Sequence, residues 1–295
     1  MDIDEPLPAG ALRTRACAKV NLCLHVLGRR EDGYHELESI VAFADAADTL
    51  TLFPGGVTVL DVHAKSGPTD PGVVGPDNLV LRAARAAAEH LGLTRAGRFV
   101  LDKHLPVAAG IGGGSADAAA ALRLIVAAAQ ADPDDPKLAQ AALSIGADVP
   151  VCVESVASLV TGIGETITPI EGFPEMFAVL VNPRVPVPTS KVFTALGLEP
   201  GKPRNPQAFE ALDGATVRDA IACGRNDLQK AAIEICPQIA DCLAALEASG
   251  AAPARMSGSG ATCFGLFDDL RAARHAAVKL AEIQPGWWVK AVTLG

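Results

Sequence analysis

Aromatic residues are scarce in this chain, 4% of 295 residues with one tyrosine and two tryptophans, so alanine, valine and leucine must fill the interior. Basic residues are outnumbered, 25 Lys and Arg against 34 Asp and Glu, for a net charge of −9. An acidic chain does not draw nucleic acid by bulk charge, although local N–H groups and Mg²⁺ can still hold a nucleotide's phosphates. The seven cysteines are odd in number and include no Cys-x-x-Cys pair, which argues against a zinc site or a disulfide framework. Most lie among aliphatic residues, where a free thiol behaves as a small hydrophobe, and a reducing, cytoplasmic compartment is expected. No apolar run approaches the roughly 20 residues of a membrane span. The stretch Met1 to Pro8 is acidic and lacks the basic and apolar regions of a signal peptide, so neither a leader nor a membrane association is expected.

What is present is a chain that is 49% hydrophobic and long enough for two domains. Alternation at Val20, Leu22, Leu24 and Val26 reads as a strand over 12–27, followed by a charged turn from Arg29 to Gly33. Strands are expected at 40–44, 49–53, 98–101, 177–182 and 287–293, with a strand pair at 254–260 and 262–267 around a glycine turn. Helices are expected at 78–91, 115–130, 137–144, 217–222, 227–235, 239–249 and 270–283. Glycine and proline cluster at 160–175, so one cut is placed there, giving regions 1–165 and 166–295. Whether the last strand, about 287–294, packs back on the first region stays open. Strands and helices mix without strict alternation, which favours an α+β fold.

The most informative segment runs from Lys103 to Ala119, where a strand enters Pro106-Val107-Ala108-Ala109-Gly110-Ile111-Gly112-Gly113-Gly114-Ser115-Ala116 and an alanine-rich helix leaves it. Glycines let the backbone turn several N–H groups toward one point, and the helix start adds unpaired N–H groups with partial positive charge. Such a segment is an anion site, most often for phosphate. It is not a Walker loop, because no lysine stands between Gly114 and Ser115. It is not a dinucleotide fingerprint, because Ser115 stands where the third glycine belongs. The other motifs of a protein kinase are missing. A plain glycine-rich turn is the remaining alternative.

This segment resembles the phosphate-binding motif of the GHMP small-molecule kinases, which wrap the ATP triphosphate without a Walker lysine. The resemblance implies a two-domain α+β fold, with an ATP-binding N-terminal domain and a smaller C-terminal substrate domain. It implies that residues 106–116 bind ATP, with Ser115 capping the helix beside the β- and γ-phosphates or their Mg²⁺.

Two further pieces carry chemistry. Lys19 sits in the apolar strand Ala16-Cys17-Ala18-Lys19-Val20-Asn21-Leu22, and Asn21 shares its face. A buried ammonium needs a partner, whereas an edge-strand lysine facing water needs none. Asp148, in Gly146-Ala147-Asp148-Val149-Pro150, reads as a residue at a turn into a strand, and a helix cap or turn aspartate is the plainer alternative. A carboxylate beside a lysine suits phosphoryl transfer: one takes the proton of an attacking hydroxyl, the other offsets developing charge.

Asp32-Gly33-Tyr34-His35 holds the only tyrosine, either an exposed aromatic in a turn or a ring on which a base stacks, with His35 reading the base edge. With these pieces the resemblance narrows to the branch of the family acting on a cytidine diphosphate conjugate of methylerythritol, and it extends over most of the chain. It implies Lys19 and Asp148 as catalytic residues. Asn21, Tyr34, His35 and Phe193 would bind substrate, Phe193 closing on the cytosine, although Ser190-Lys191 departs from the branch's pattern. Asn78 resembles a position near the adenine pocket and equally reads as a plain N-cap. Arg255 to Thr262 resembles the family's third motif, which folds against the phosphate loop, or else is a hairpin turn. Asn226-Asp227-Leu228 also matches, in a structural role.

No glutamate occurs over 116–147, so no carboxylate ligand to Mg²⁺ is assigned, and phosphates, Ser115 and water are left to hold it. A monomer and a homodimer both stay open. A GHMP kinase for another alcohol, such as homoserine or mevalonate, is the first alternative and is disfavoured by Tyr34-His35. A non-catalytic binder on the same fold is the second, and Lys19 with Asp148 argues against it, since binding alone needs neither.

Overall fold

In the computed structural model the described residues are 6–64, 75–206, 209 and 212–295, so the acidic stretch Met1 to Glu5 lies outside them. The chain divides into two compact units. The first holds 1–18, 46–107 and 112–154, and the second holds 19–45, 108–111 and 155–295. Where the sequence reading expects one cut at 165/166, the chain thus passes between units at 18/19, 45/46, 107/108, 111/112 and 154/155.

Two long strands run through both units: β1 (Leu12–Arg29) and β2 (His35–Phe53), which pair with each other. Where two strands are expected at 40–44 and 49–53, β2 is continuous. The polar interruption that hides this continuity includes Asp48, which is buried and ion-paired rather than turned to water.

In the first unit, β3 (Val59–Ala64) runs parallel to β4 (Arg98–Lys103), and β4 lies antiparallel to the end of β2. Helix α1 (Leu79–His90) packs on α2 (Gly113–Ala129), followed by α3 (Pro136–Ile145) and α4 (Val149–Glu154). Ala118 to Ala121 on α2 and Ala83, Ala84 and Ala87 on α1 are fully buried. Side chains this small let helices approach closely, and the alanine run serves that purpose.

In the second unit, β5 (Ser158–Gly162) pairs antiparallel with β2 and with β6 (Thr166–Pro169). This hairpin stands where the glycine and proline cluster placed the cut, and Gly162 at φ 75° and Gly164 at φ 113° serve its turn. β7 (Met176–Asn182) lies between β11 (Trp288–Leu294) and β10 (Cys263–Phe267), and β9 (Ala254–Met256) follows β10. Leu294 of β11 pairs with Ala44 of β2. The short β8 (Lys202–Pro203) pairs with the end of β1. Helices α5 (Thr189–Ala195), α6 (Val217–Cys223), α7 (Gln229–Ile235), α8 (Gln238–Ala248) and α9 (Leu270–Ile283) complete the unit. Val179, Val181, Ile239, Cys242, Leu246, Cys263 and Leu280 share one apolar core there. Among the described residues, no helix is long and apolar enough to cross a membrane.

Candidate active site

The polar residues of β1 are explained by its burial. Val20, Leu22, Leu24 and Val26 form one buried face, and Lys19, Asn21, Cys23 and His25 form the other, which is also buried. Lys19 is 5% exposed, so it is not an edge lysine in water. Two residues on, Asn21 donates from Nδ2 to Ser39 Oγ at 2.8 Å, and Ser39 donates onward to the Cys23 carbonyl at 2.6 Å. That chain fixes the amide plane and leaves Asn21 Oδ1 buried with no hydrogen-bond partner among the described residues. An orphaned buried acceptor is costly, and a donor brought by a ligand would relieve the cost. Further along the face, His25 lies 3.3 Å from Glu38 and stacks on Phe209. Burial, helped by the Arg225 charge, pushes the His25 pKa down.

The glycine segment is tied down by its carbonyls. Within the second unit, Thr262 N–H donates to Ala109 O at 2.9 Å, Ser257 Oγ donates to Gly110 O at 3.0 Å, and Lys19 N–H donates to Ile111 O at 3.0 Å. Ser257 Oγ also accepts from Asn21 N–H at 3.0 Å, so one hydroxyl joins β1 to the loop. Successive carbonyls are therefore committed to the body of the unit. Left-handed φ angles at Ala108, Gly110 and Gly112 carry the backbone round this turn. The third motif thus folds against the loop as expected, and so closely that a Cβ on Gly110 would lie 2.6 Å from Gly260 O.

In the first unit, α2 opens at Gly113 with Gly112 as its left-handed cap, and no side chain caps it. Ser115 is therefore in the first turn and does not cap the helix, because the glycines themselves adopt helical backbone two residues earlier. Beneath that turn lies a group the sequence reading missed. Lys103 Nζ donates to Asp117 Oδ2 at 2.8 Å and to Asp48, with all three side chains buried. Asp48 Oδ1 also accepts the N–H groups of His104 and Leu105, at 2.5 and 2.8 Å. One end of the loop is thereby joined to the other. Burial pushes the Asp117 carboxyl up to about 7, against the pull of Lys103 and with the push of Asp48. The available signal was an aspartate inside an otherwise alanine helix.

Asn78 caps α1, its Oδ1 accepting from Val80 N–H at 2.7 Å. The next residue, Leu79, packs 3.4 Å from where a Cβ on Gly114 would stand, so the head of α1 meets the head of α2. Asp148 does not enter a strand but immediately precedes α4, its carbonyl accepting from Cys152 N–H at 3.3 Å. Val149 and Pro150 misled the strand reading, since proline is well suited to a helix's first turn.

Tyr34 stands at the β1–β2 turn, where Arg30 N–H donates to Tyr34 O at 2.8 Å and Asp32 accepts from Tyr34 N–H at 3.1 Å. Tyr34 is 60% exposed. His35 packs on Phe193 of α5, ring centroids 4.7 Å apart. Burial and the nearby Arg29 push the His35 pKa down, leaving a neutral imidazole at pH 7. Among the described residues, no group of three or more His, Cys, Asp or Glu side chains is placed to hold a metal.

Comparison with known proteins places the chain in a family. The GHMP kinases N terminal domain family matches residues 78–155, and the GHMP kinases C terminal family matches 207–285. A 4-diphosphocytidyl-2-C-methyl-D-erythritol kinase of Rhodopseudomonas palustris is 52% identical, covering 97% of this chain and 98% of its own. The protein of the same name from Methylorubrum extorquens is 52% identical, covering 96% and 99%. A crystal structure of 4-(cytidine 5'-diphospho)-2C-methyl-D-erythritol kinase matches with a TM-score of 0.78 at 33% identity, covering 96% of this chain and 99% of that one. Homoserine kinase from Cytophaga hutchinsonii, with a TM-score of 0.68 at 16% identity over 99% of this chain and 96% of its own, shares the fold. The chain belongs to the GHMP kinases, and within them to the 4-diphosphocytidyl-2-C-methyl-D-erythritol kinase family.

Proposed function

We propose that this protein transfers the γ-phosphoryl group of ATP to the 2-hydroxyl of 4-diphosphocytidyl-2-C-methyl-D-erythritol, a cytoplasmic step of the non-mevalonate route to isoprenoid precursors. The observation that carries the reading is the tie between a buried lysine's strand and the glycine loop, Lys19 N–H to Ile111 O at 3.0 Å. It joins an ammonium held out of water to a backbone turn suited to phosphate.

The loop residues 106–116 hold the triphosphate through backbone N–H groups and the head of α2, with Asn78 on the adenine side. The hydroxyl oxygen attacks the γ-phosphorus, the bond to the β-phosphate oxygen breaks, and ADP leaves. Asp148 receives the hydroxyl proton, and Lys19 offsets charge on the phosphoryl oxygens. Asn21, through its free Oδ1, accepts from the polyol. Tyr34 stacks on the cytosine, His35 meets its polar edge as a neutral imidazole, and Phe193 closes the other side. Mg²⁺, when bound, would neutralise phosphate charge, and Ser115 together with phosphate oxygens and water suits an ion that keeps much of its hydration.

The test is ADP release with Mg-ATP and the cytidine substrate, set against its uridine analogue, homoserine and mevalonate. Turnover with the cytidine compound alone is expected. Turnover with another alcohol would keep the fold and overturn the base-reading role of Tyr34 and His35.

A further inference from the structure

Helix α4, which begins directly after Asp148, has 6 residues. Isolated helices shorter than about 12 residues are marginal in water, so its position depends on what it touches. Val149, Val151 and Cys152 bury one side of it. Its carboxyl end is gripped by a single side chain from the middle of α2. Arg123 donates from Nη1 to Cys152 O at 2.7 Å and to Val153 O at 3.3 Å, and from Nη2 to Arg15 O at 2.8 Å.

A guanidinium suits this work. Its planar fork reaches several carbonyls at once, it stays charged when buried, and a cation at a helix C-terminus also meets the negative end of the helix dipole. Asp148 cannot move apart from α4, because its carbonyl accepts the Cys152 N–H that closes the helix's first turn. Arg15 belongs to β1, the strand that also carries Lys19. One side chain thus fastens the phosphate-loop helix to the helix headed by Asp148 and to the strand leading into Lys19.

We infer that Arg123 is a positioning residue for phosphoryl transfer, holding Asp148 in place through the carboxyl end of α4. The inference rests on the reading of Asp148 as the proton-accepting carboxylate. A shift of about 1 Å in a reacting group can cost a hundredfold in rate while leaving ground-state binding alone. The expected signature is therefore a loss in kcat with little change in either KM.

The experiment compares Arg123→Met, Arg123→Lys, Asp148→Asn and the double variant Arg123→Met with Asp148→Asn, each checked for folding by thermal melting. Arg123→Met should lose about tenfold or more in kcat, with both KM values within about twofold. Arg123→Lys should lose less, since an ammonium can still donate to a carbonyl although it cannot span all three. The double variant should turn over at the rate of Asp148→Asn, because the arginine acts through that residue. A parental kcat in Arg123→Met, or losses that multiply in the double variant, overturns the inference while leaving Asp148 in its role. Full turnover in Asp148→Asn overturns the reading of Asp148 and the inference with it. If Arg123→Met does not fold, Arg123→Lys decides: a lowered kcat at constant KM supports the inference, and a parental kcat overturns it.

Discussion

Lys103 and Asp117 form a buried ion pair of 2.8 Å, the lysine at the end of β4 and the aspartate just past the first turn of α2. Asp48 binds the same ammonium and, with its other oxygen, the two amides at the loop's entry. The cluster ties the neck of the glycine loop. Because the loop carries no lysine of its own, its shape depends on backbone and on this buried clamp.

Asp117 makes stability pH-dependent. Its carboxyl sits at about 7, above the ordinary 3.8, because burial disfavours its charge. The folded state therefore holds a proton that the unfolded state releases, and stability falls as pH rises from about 4 to about 7. Above about 7 the cost is complete. Asp117→Asn should flatten that slope in melting experiments across the window. Lys103→Met, which leaves two carboxylates without their cation, should cost about 3–5 kcal/mol.

Asp148→Asn keeps size and hydrogen-bonding reach but cannot take a proton. Turnover should fall by about a hundredfold or more, the range of general-base catalysis. ATP affinity, measured by calorimetry, should stay within about twofold, since the loop's amides are untouched. Undiminished turnover would remove Asp148 from the chemistry.

Tyr34→Ala should raise KM for the cytidine substrate about tenfold, from a stacking contribution of about 1–3 kcal/mol. KM for ATP and the melting temperature should hold, because a residue 60% exposed contributes little to folding. An unchanged substrate KM would eliminate the stacking role.

Gly110→Ala and Gly33→Ala separate crowding from backbone preference. Both glycines have positive φ, 74° and 90°. A Cβ at Gly33 meets open space, whereas at Gly110 it would lie 2.6 and 2.7 Å from the backbone oxygens of Gly260 and Ser257. Gly33→Ala should cost about 1 kcal/mol. Gly110→Ala should cost about 2 kcal/mol or more and raise KM for ATP, because the loop must lift from the third motif to make room. Equal melting temperatures for the two variants would show that the contact is not tight.

Much of this protein was legible in its residues because local chemistry carries the signal. Three glycines in a row before an alanine helix mark a tight turn into a helix wherever they fold, and Lys19 with Asn21 share a face by the period of a strand alone. The helix expected at 270–283 was read to the residue, whereas the strand expected at 254–260 ends at Met256. Failures came where a polar side chain has a partner far along the chain. Asp48 read as a break in β2, and Asp148 read as the mouth of a strand because Val149 to Val151 are apolar whichever way they fold.

The sequence by itself determined the glycine turn ahead of an alanine helix, the polar face of β1 and, by resemblance, the family to which the chain belongs, since each rests on residue type and spacing within a short segment. Only the tertiary structure decided that both faces of β1 are buried, that Lys103 is shared between Asp48 and Asp117, and that Arg123 grips α4. These bonds join residues 14 to 108 positions apart. No periodicity encodes a partner at such a distance, because the energy that selects it is gained only when water is excluded from both groups at once.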